Sequence, residues 1–311
     1  MTYDALRDTK FPLPNGAGQL PAAGFGTSFT GKDPKVTTQA VKDALEAGFR
    51  HIDCAERYGN EELVGVALHE VLQAGKVRRE DIFVTTKLWN NNHRPERVAP
   101  AFEASRQRLQ LDHIDCYLMH TPFAFQAGED QDPRDEQGQI IYDSGVTLME
   151  TWRAMERLVD EGKCKSIGLS DITLEAVKEI VGQARIMPAV VEVESHPYLP
   201  EWELLEYCQQ QGIILLAFAA LGHGMEPKVL EEPVITGIAQ RLEKTPAQVA
   251  LAWSIQRGVA FLTTSATMSH IKENFEISTL PDWAMREMNE DIKTKKRLNP
   301  VVETGVPGFF R

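Results

Sequence analysis

The sequence predicts an α/β fold, a (β/α)8 TIM barrel with an N-terminal β-hairpin and a C-terminal extension. Strand-like runs and helical patterns alternate through eight cycles, a rhythm that calls for parallel strands and right-handed crossovers. The 311 residues suit one such barrel with an insertion or extension, so residues 1–311 read as a single domain. Three of the runs end on ionisable residues: Phe49-Arg50-His51-Ile52-Asp53, Ile82-Phe83-Val84-Thr85-Thr86-Lys87 and Ile114-Asp115-Cys116-Tyr117-Leu118-Met119-His120. In a parallel barrel all strands open onto one face at their C-terminal ends, where Asp53, Lys87 and His120 would converge as a catalytic group.

Residues 1–21 hold the hairpin: Phe11-Pro12-Leu13-Pro14-Asn15-Gly16 and Gln19-Leu20-Pro21 carry an Asn-Gly turn between short apolar pieces. The alternation then runs as strand 22–26, helix 37–47, strand to Asp53, helix 61–74, strand to Lys87, helix 96–109 and strand to His120. It continues as helix 147–161, strand 166–170, helix 174–183, strand 189–194, helix 200–211, strand 213–218, helical stretches 234–241 and 246–256, and strand 259–264. Two segments break the rhythm. Residues 123–143 form a long polar loop directly after the His120 strand, hence over the active face. Residues 275–311 are the C-terminal extension, whose aperiodic tail carries Phe309 and Phe310.

The net charge of −12 argues against nucleic-acid or membrane-surface partners, which are themselves negative. A phosphate-bearing ligand must then be met by local donors. Cys54, Cys116, Cys164 and Cys208 form no CxxC pair and lie in or beside apolar runs, so buried thiols in a reducing compartment are expected. No leader pattern opens the chain and no apolar run approaches the ~18 residues of a bilayer span. A cytoplasmic protein, monomeric or a small homo-oligomer, follows as the expectation.

Tyr58 follows Asp53 by one loop. A phenol beside an ammonium, an ammonium beside a carboxylate, and an imidazole nearby make a proton-donating site: Lys87 would lower the Tyr58 pKa, Asp53 would hold Lys87, and His120 would orient a carbonyl oxygen. Each residue alone would read as a solvated strand end, an ion pair or a loop aromatic. Their joint placement favours catalysis. Arg57 either points into the pocket or pairs with an acidic neighbour. His51, His69, His93, His113 and His223 read as surface or packing histidines, and His69-Glu70 lacks the second His of a zinc motif. Gly16-Ala17-Gly18 and Gly222-His223-Gly224 lack the third glycine of the dinucleotide fingerprint, and no P-loop occurs, so a Rossmann or P-loop domain is disfavoured.

At these residues the chain resembles the aldo-keto reductase family. The resemblance rests on Gly24-Phe25-Gly26-Thr27, His51-Ile52-Asp53, Tyr58-Gly59-Asn60-Glu61, Thr86-Lys87-Leu88-Trp89, Tyr117-Leu118-Met119-His120, Lys165-Ser166-Ile167-Gly168-Leu169-Ser170 and His196-Pro197-Tyr198, in the family's order. It implies an eight-stranded barrel with a hairpin plugging its floor, an extended nicotinamide cofactor, and Asp53, Tyr58, Lys87 and His120 as a catalytic tetrad. It further implies that Thr27, Ser170, Asp171, Glu192, Phe218, Leu221, Ser265, His270, Glu273 and Asn274 bind the cofactor, and that Trp89, Tyr58 and His120 bind substrate. The 123–143 loop and the tail would wall the pocket.

The departures from the family's pattern are informative. Asp171 and Glu192 replace two amides that usually hold the nicotinamide carboxamide; as ionised carboxylates they could accept hydrogen bonds but not donate them, and would favour the cationic oxidised ring. Phe218 keeps the stacking face without a hydroxyl. Thr264 and His270 stand where NADP-preferring members typically carry Lys and Arg, so NAD is the expected cofactor and NADP a possible one. Ser28 and Thr121 replace aromatics, implying a wider, more polar pocket. The short 220–226 loop would gate the cofactor less. The expected function is hydride transfer between a nicotinamide cofactor and a carbonyl or alcohol substrate (aldehyde, ketone or sugar), with Tyr58 as proton donor and acceptor, able to run as a dehydrogenase. The alternatives are an NADP(H)-dependent carbonyl reductase and a non-catalytic binding or structural member.

Overall fold

Apolar runs rich in β-branched and aromatic residues, too short for helices, form the strands. Amphipathic stretches with capped ends form the helices between them. In the computed structural model, which describes residues 6–29 and 35–299, a hairpin of β1 (Lys10–Pro12) and β2 (Gln19–Pro21) pairs Phe11 with Leu20. Leu20 is fully buried in the core, as a barrel plug requires. The barrel strands are β3 (Ala23–Gly26), β4 (His51–Asp53), β5 (Phe83–Leu88), β6 (Ile114–Met119), β7 (Cys164–Ser170), β8 (Val190–Glu194), β9 (Ile214–Phe218) and β10 (Val259–Thr263). Each pairs in parallel with its neighbour in sequence, and β10 closes on β3.

Helices α1 (Lys35–Ala47), α2 (Glu61–Gln73), α3 (Pro95–Arg108), α4 (Leu148–Asp160), α5 (Leu174–Gln183), α6 (Trp202–Gln211), α7 (Pro233–Leu242) and α8 (Pro246–Gln256) cover the outside of the barrel. Capping boxes at Thr147 with Glu150 and at Thr245 with Gln248 satisfy the first backbone N–H groups of α4 and α8. The buried faces of α4 and α8 bring Trp152 and Trp253 inside. Two helices not anticipated from the rhythm, α9 (Met268–Phe275) and α10 (Asp282–Glu290), follow β10. At Gly168 on β7 the neighbouring strand comes so close that an added Cβ would lie 2.3 Å from the Val190 carbonyl oxygen.

The loop over 123–143 is less polar in packing than in composition. Isolated bridges join Phe125 to Tyr142 and Arg134 to Ile140, and Phe125 and Ile140 are buried with Trp89. All four cysteines are unpaired and buried, as expected. No described helix is long and apolar enough to cross a membrane, and no metal-holding cluster occurs among the described residues. Phe309 and Phe310 of the tail lie outside the described residues.

Candidate active site

Alternation along a strand sends Lys87 into the barrel and Thr86 outward, where the Thr86 hydroxyl donates to Glu61 Oε1 at 2.5 Å and fixes the strand from behind. Inside, Lys87 Nζ donates to both Asp53 oxygens at 2.6 Å, to the Cys54 carbonyl at 3.2 Å and to the Tyr58 hydroxyl at 3.4 Å. A further carboxylate oxygen, Glu192 Oε1, lies 3.3 Å away. Lys87 and Asp53 are buried, and Tyr58 sits on the short turn Glu56–Tyr58 at the cavity wall. The His120 ring meets Tyr58 edge-on at 5.7 Å. Asp53, Tyr58, Lys87 and His120, far apart in sequence, thus meet at the C-terminal end of the barrel.

Burial opposes the charge on Lys87, but Asp53 and Glu192 outweigh it and hold the ammonium well above its ordinary value. His120 is driven far below its ordinary value by burial and by the Lys87 and Arg57 cations, so its imidazole is neutral. The expected lowering of the Tyr58 pKa is not met. Burial raises the phenol, Lys87 opposes that, and the charges of Asp53 and Glu192 add to the rise. Without a ligand, the site holds Tyr58 as a protonated phenol next to an ammonium, an arrangement that can release a proton to an adjacent oxygen.

The cavity beside this centre, about 160 Å³, is below the roughly 300–1,000 Å³ of pockets for drug-sized ligands. It suits one ring and a small polar group. Of the residues expected at the site, Asp53, Tyr58, His120, Ser170, Asp171, Glu192 and Phe218 line it, and Gly26, Ser28, Ala219, His223 and Thr264 join them. Three of the six non-glycine residues with positive φ among the described residues, Asp171, Ala219 and His223, lie on this wall. Such strain is retained where the surroundings over-determine a functional surface.

Several expected residues are placed elsewhere. Thr27 is buried, and its hydroxyl donates to the Asp53 carbonyl at 2.8 Å, bracing β3 on β4. Trp89 stacks edge-on behind His120 at 5.1 Å and spends its indole N–H on the Gln131 carbonyl at 2.8 Å, so it backs the wall without lining it. Thr121 is buried and donates to Asn90 Oδ1 at 2.7 Å. Arg57 pairs with Asp132 at 2.5 Å and lies over Trp89, tying the 123–143 loop to the Tyr58 turn. Leu221 packs on the core. Ser265 and His270 lie beyond the end of β10, with His270, Glu273 and Asn274 on α9.

Burial works against the ionised forms of the two carboxyl groups that replace the family's amides. Asp171 Oδ1 and Glu192 Oε2 are shut off from solvent without a partner. Burial pushes Asp171 up to about 7. Burial and then the Asp53 charge push Glu192 well above the usual carboxylate range.

Two features escaped the sequence reading. His223 lines the cavity rather than serving only as a packing or surface residue; its position between two glycines in the loop after a barrel strand is the available signal. Glu194, two residues beyond Glu192, is buried and accepts from the Leu298 backbone N–H at 2.6 Å and the Asn299 N–H at 3.1 Å, while His196 Nε2 lies at 2.9 Å. The two backbone donors are some hundred residues away, so no local motif announces them.

The sequence pattern of the Aldo/keto reductase family matches residues 21–292. The chain is 41% identical over 291 residues to aldo-keto reductase family 1 member C1 of Pongo abelii, covering 90% of this chain and 88% of that one. It is 42% identical over 267 residues to family 1 member A1 of Rattus norvegicus, covering 83% and 81%. The solved aldose reductase of Schistosoma japonicum superposes with a TM-score of 0.89 at 38% identity, covering 97% of this chain and 98% of that one. A closed parallel barrel, a lysine-centred group at its C-terminal end and these likenesses agree: the chain belongs to the aldo/keto reductase family and is an oxidoreductase.

Proposed function

We propose that the protein transfers hydride between a nicotinamide cofactor and a small carbonyl or alcohol substrate, with Tyr58 as proton donor in reduction and acceptor in oxidation. The observation that carries this reading is Lys87 Nζ, held by both Asp53 oxygens at 2.6 Å and facing the Tyr58 hydroxyl at 3.4 Å beside an open cavity. The cavity's chemistry fits the cofactor's amide-bearing ring: unpartnered polar atoms on Asp171 and Glu192 stand on the same wall as the Phe218 ring. When bound, the cofactor supplies or takes the hydride. Tyr58 gives its proton to the substrate oxygen, Lys87 stabilises the resulting phenolate, and the neutral His120 orients that oxygen by a hydrogen bond. Buried, unpaired cysteines accord with a reducing, cytoplasmic setting.

For cofactor choice we favour NAD(H). Thr264 and His270 offer no fixed cation for a 2′-phosphate, and each charge-assisted hydrogen bond so lost is worth about 1.5–3 kcal/mol. Titrating the protein with NADH and NADPH and assaying aldehydes, ketones and sugars tests both parts. NADH is expected to give the higher kcat/KM, and Thr264→Lys with His270→Arg to swing the ratio toward NADPH by tenfold or more. A wild type that already prefers NADPH tenfold overturns the NAD assignment.

A further inference from the structure

The centre around Lys87 contains one cation and two carboxyl groups, and the surplus demands a proton. Asp53 takes two short bonds from Lys87 at 2.6 Å, whereas Glu192 Oε1 stands at 3.3 Å. Both carboxyl groups are buried and face the same ammonium. One ammonium does not neutralise two buried carboxylates, and a buried carboxyl left without its own cation is favoured as the neutral acid. Asp53, with the shorter bonds to the ammonium, is the better-stabilised anion. Glu192 has one long contact to the cation, and its Oε2 is enclosed and unpartnered.

We propose that Glu192 is held as a neutral carboxylic acid beside the Lys87–Asp53 pair, and that its proton sets the charge against which Tyr58 works. The charged and titratable groups facing it are Asp53 on β4, Lys87 on β5, Cys116 on β6, Asp171 after β7 and Tyr58 on its turn; Lys87 is the one cation among them. With Glu192 protonated, the charges of Asp53 and Lys87 cancel. Ionising Glu192 adds a negative charge beside the phenol and opposes the phenolate formed when Tyr58 gives up its proton. Glu192 acts through Lys87 and is therefore a positioning residue for the reaction. Its acid hydroxyl is also a donor, which restores toward a carboxamide oxygen the capacity that an ionised carboxylate lacks.

The kinetic half of this inference rests on the proposed role of Tyr58; the protonation does not. Infrared difference spectra of the full-length protein, taken above the Asp171 value of about 7, should show the carbonyl stretch of an un-ionised carboxyl group, shifted in D2O. The band should vanish in Glu192→Gln and persist in Glu194→Gln. A wild type without the band, or a band that survives Glu192→Gln, overturns the assignment. In carbonyl reduction, the alkaline fall of the wild-type rate should move to higher pH in Glu192→Gln. An identical profile in that variant overturns the link to Tyr58. A protein that shows the band but reduces no carbonyl would instead overturn the reading of the site and leave the protonated acid standing.

Discussion

Glu192 and Glu194 are two residues apart on one strand, share a face and are both buried, yet they are held in opposite states. Two backbone N–H groups and His196 surround Glu194, and although burial works against it, they bring it below its ordinary value. Glu192 has one cation at 3.3 Å, shared with a closer competitor, and rises. Burial sets the cost of a charge; the count of donors decides whether the charge is kept. Glu194 thus serves as an anchor, fastening 297–299 to the end of β8, while Glu192 remains responsive to what enters the cavity.

Removing the anchor should have the largest effect on stability. Glu194→Ala orphans its donors and should cost roughly 3–5 kcal/mol in denaturant unfolding, the range for breaking a buried charged network. Because its folded pKa is lowered, the Glu194 contribution is fully present above the unfolded value of about 4.3 and fades as pH falls through the folded one. Glu192→Gln should reverse the pattern. A raised folded pKa makes wild-type stability fall, relative to this variant, as pH rises above about 4.3, so the variant should be as stable as wild type or more so at pH 7. Equal losses in the two variants would break the contrast.

A smaller effect is expected from Asp171. Raised to about 7, it is neutral below that pH and anionic above it. Affinity for the cationic oxidised cofactor relative to the reduced one should therefore rise through pH 7 by on the order of 1 kcal/mol. Asp171→Asn should flatten the ratio. Fluorescence titration with NAD+ and NADH decides it, and a wild-type ratio that does not change with pH contradicts the prediction.

What the sequence made legible follows the range of the interactions involved. The barrel strands and the helices between them are written locally, in periodicity and caps, and α5 and α8 begin and end where their apolar spacing predicts. Asp53, Lys87 and His120 were legible because parallel strands carry their last residues to one face. Adjacency to a motif does not tell which way a side chain turns: Thr27 and Trp89 spend polar groups on the Asp53 and Gln131 carbonyls. The states of Glu192 and Asp171 were illegible as well. A carboxylate's identity is in the sequence, but the donors that keep it charged are set by packing. Glu194 shows the same limit most plainly, since its donors come from the far end of the chain.

The central claim is that the Tyr58 hydroxyl carries the proton. Its most direct test is turnover of Tyr58→Phe on the best wild-type substrate, with cofactor affinity measured on the same preparation by fluorescence. The change deletes one oxygen and leaves the Lys87–Asp53 pair in place. The account predicts cofactor affinity within a few-fold of wild type and a loss of turnover of about 10²–10⁴-fold. Turnover within a few-fold of wild type would contradict it and move the proton to another group.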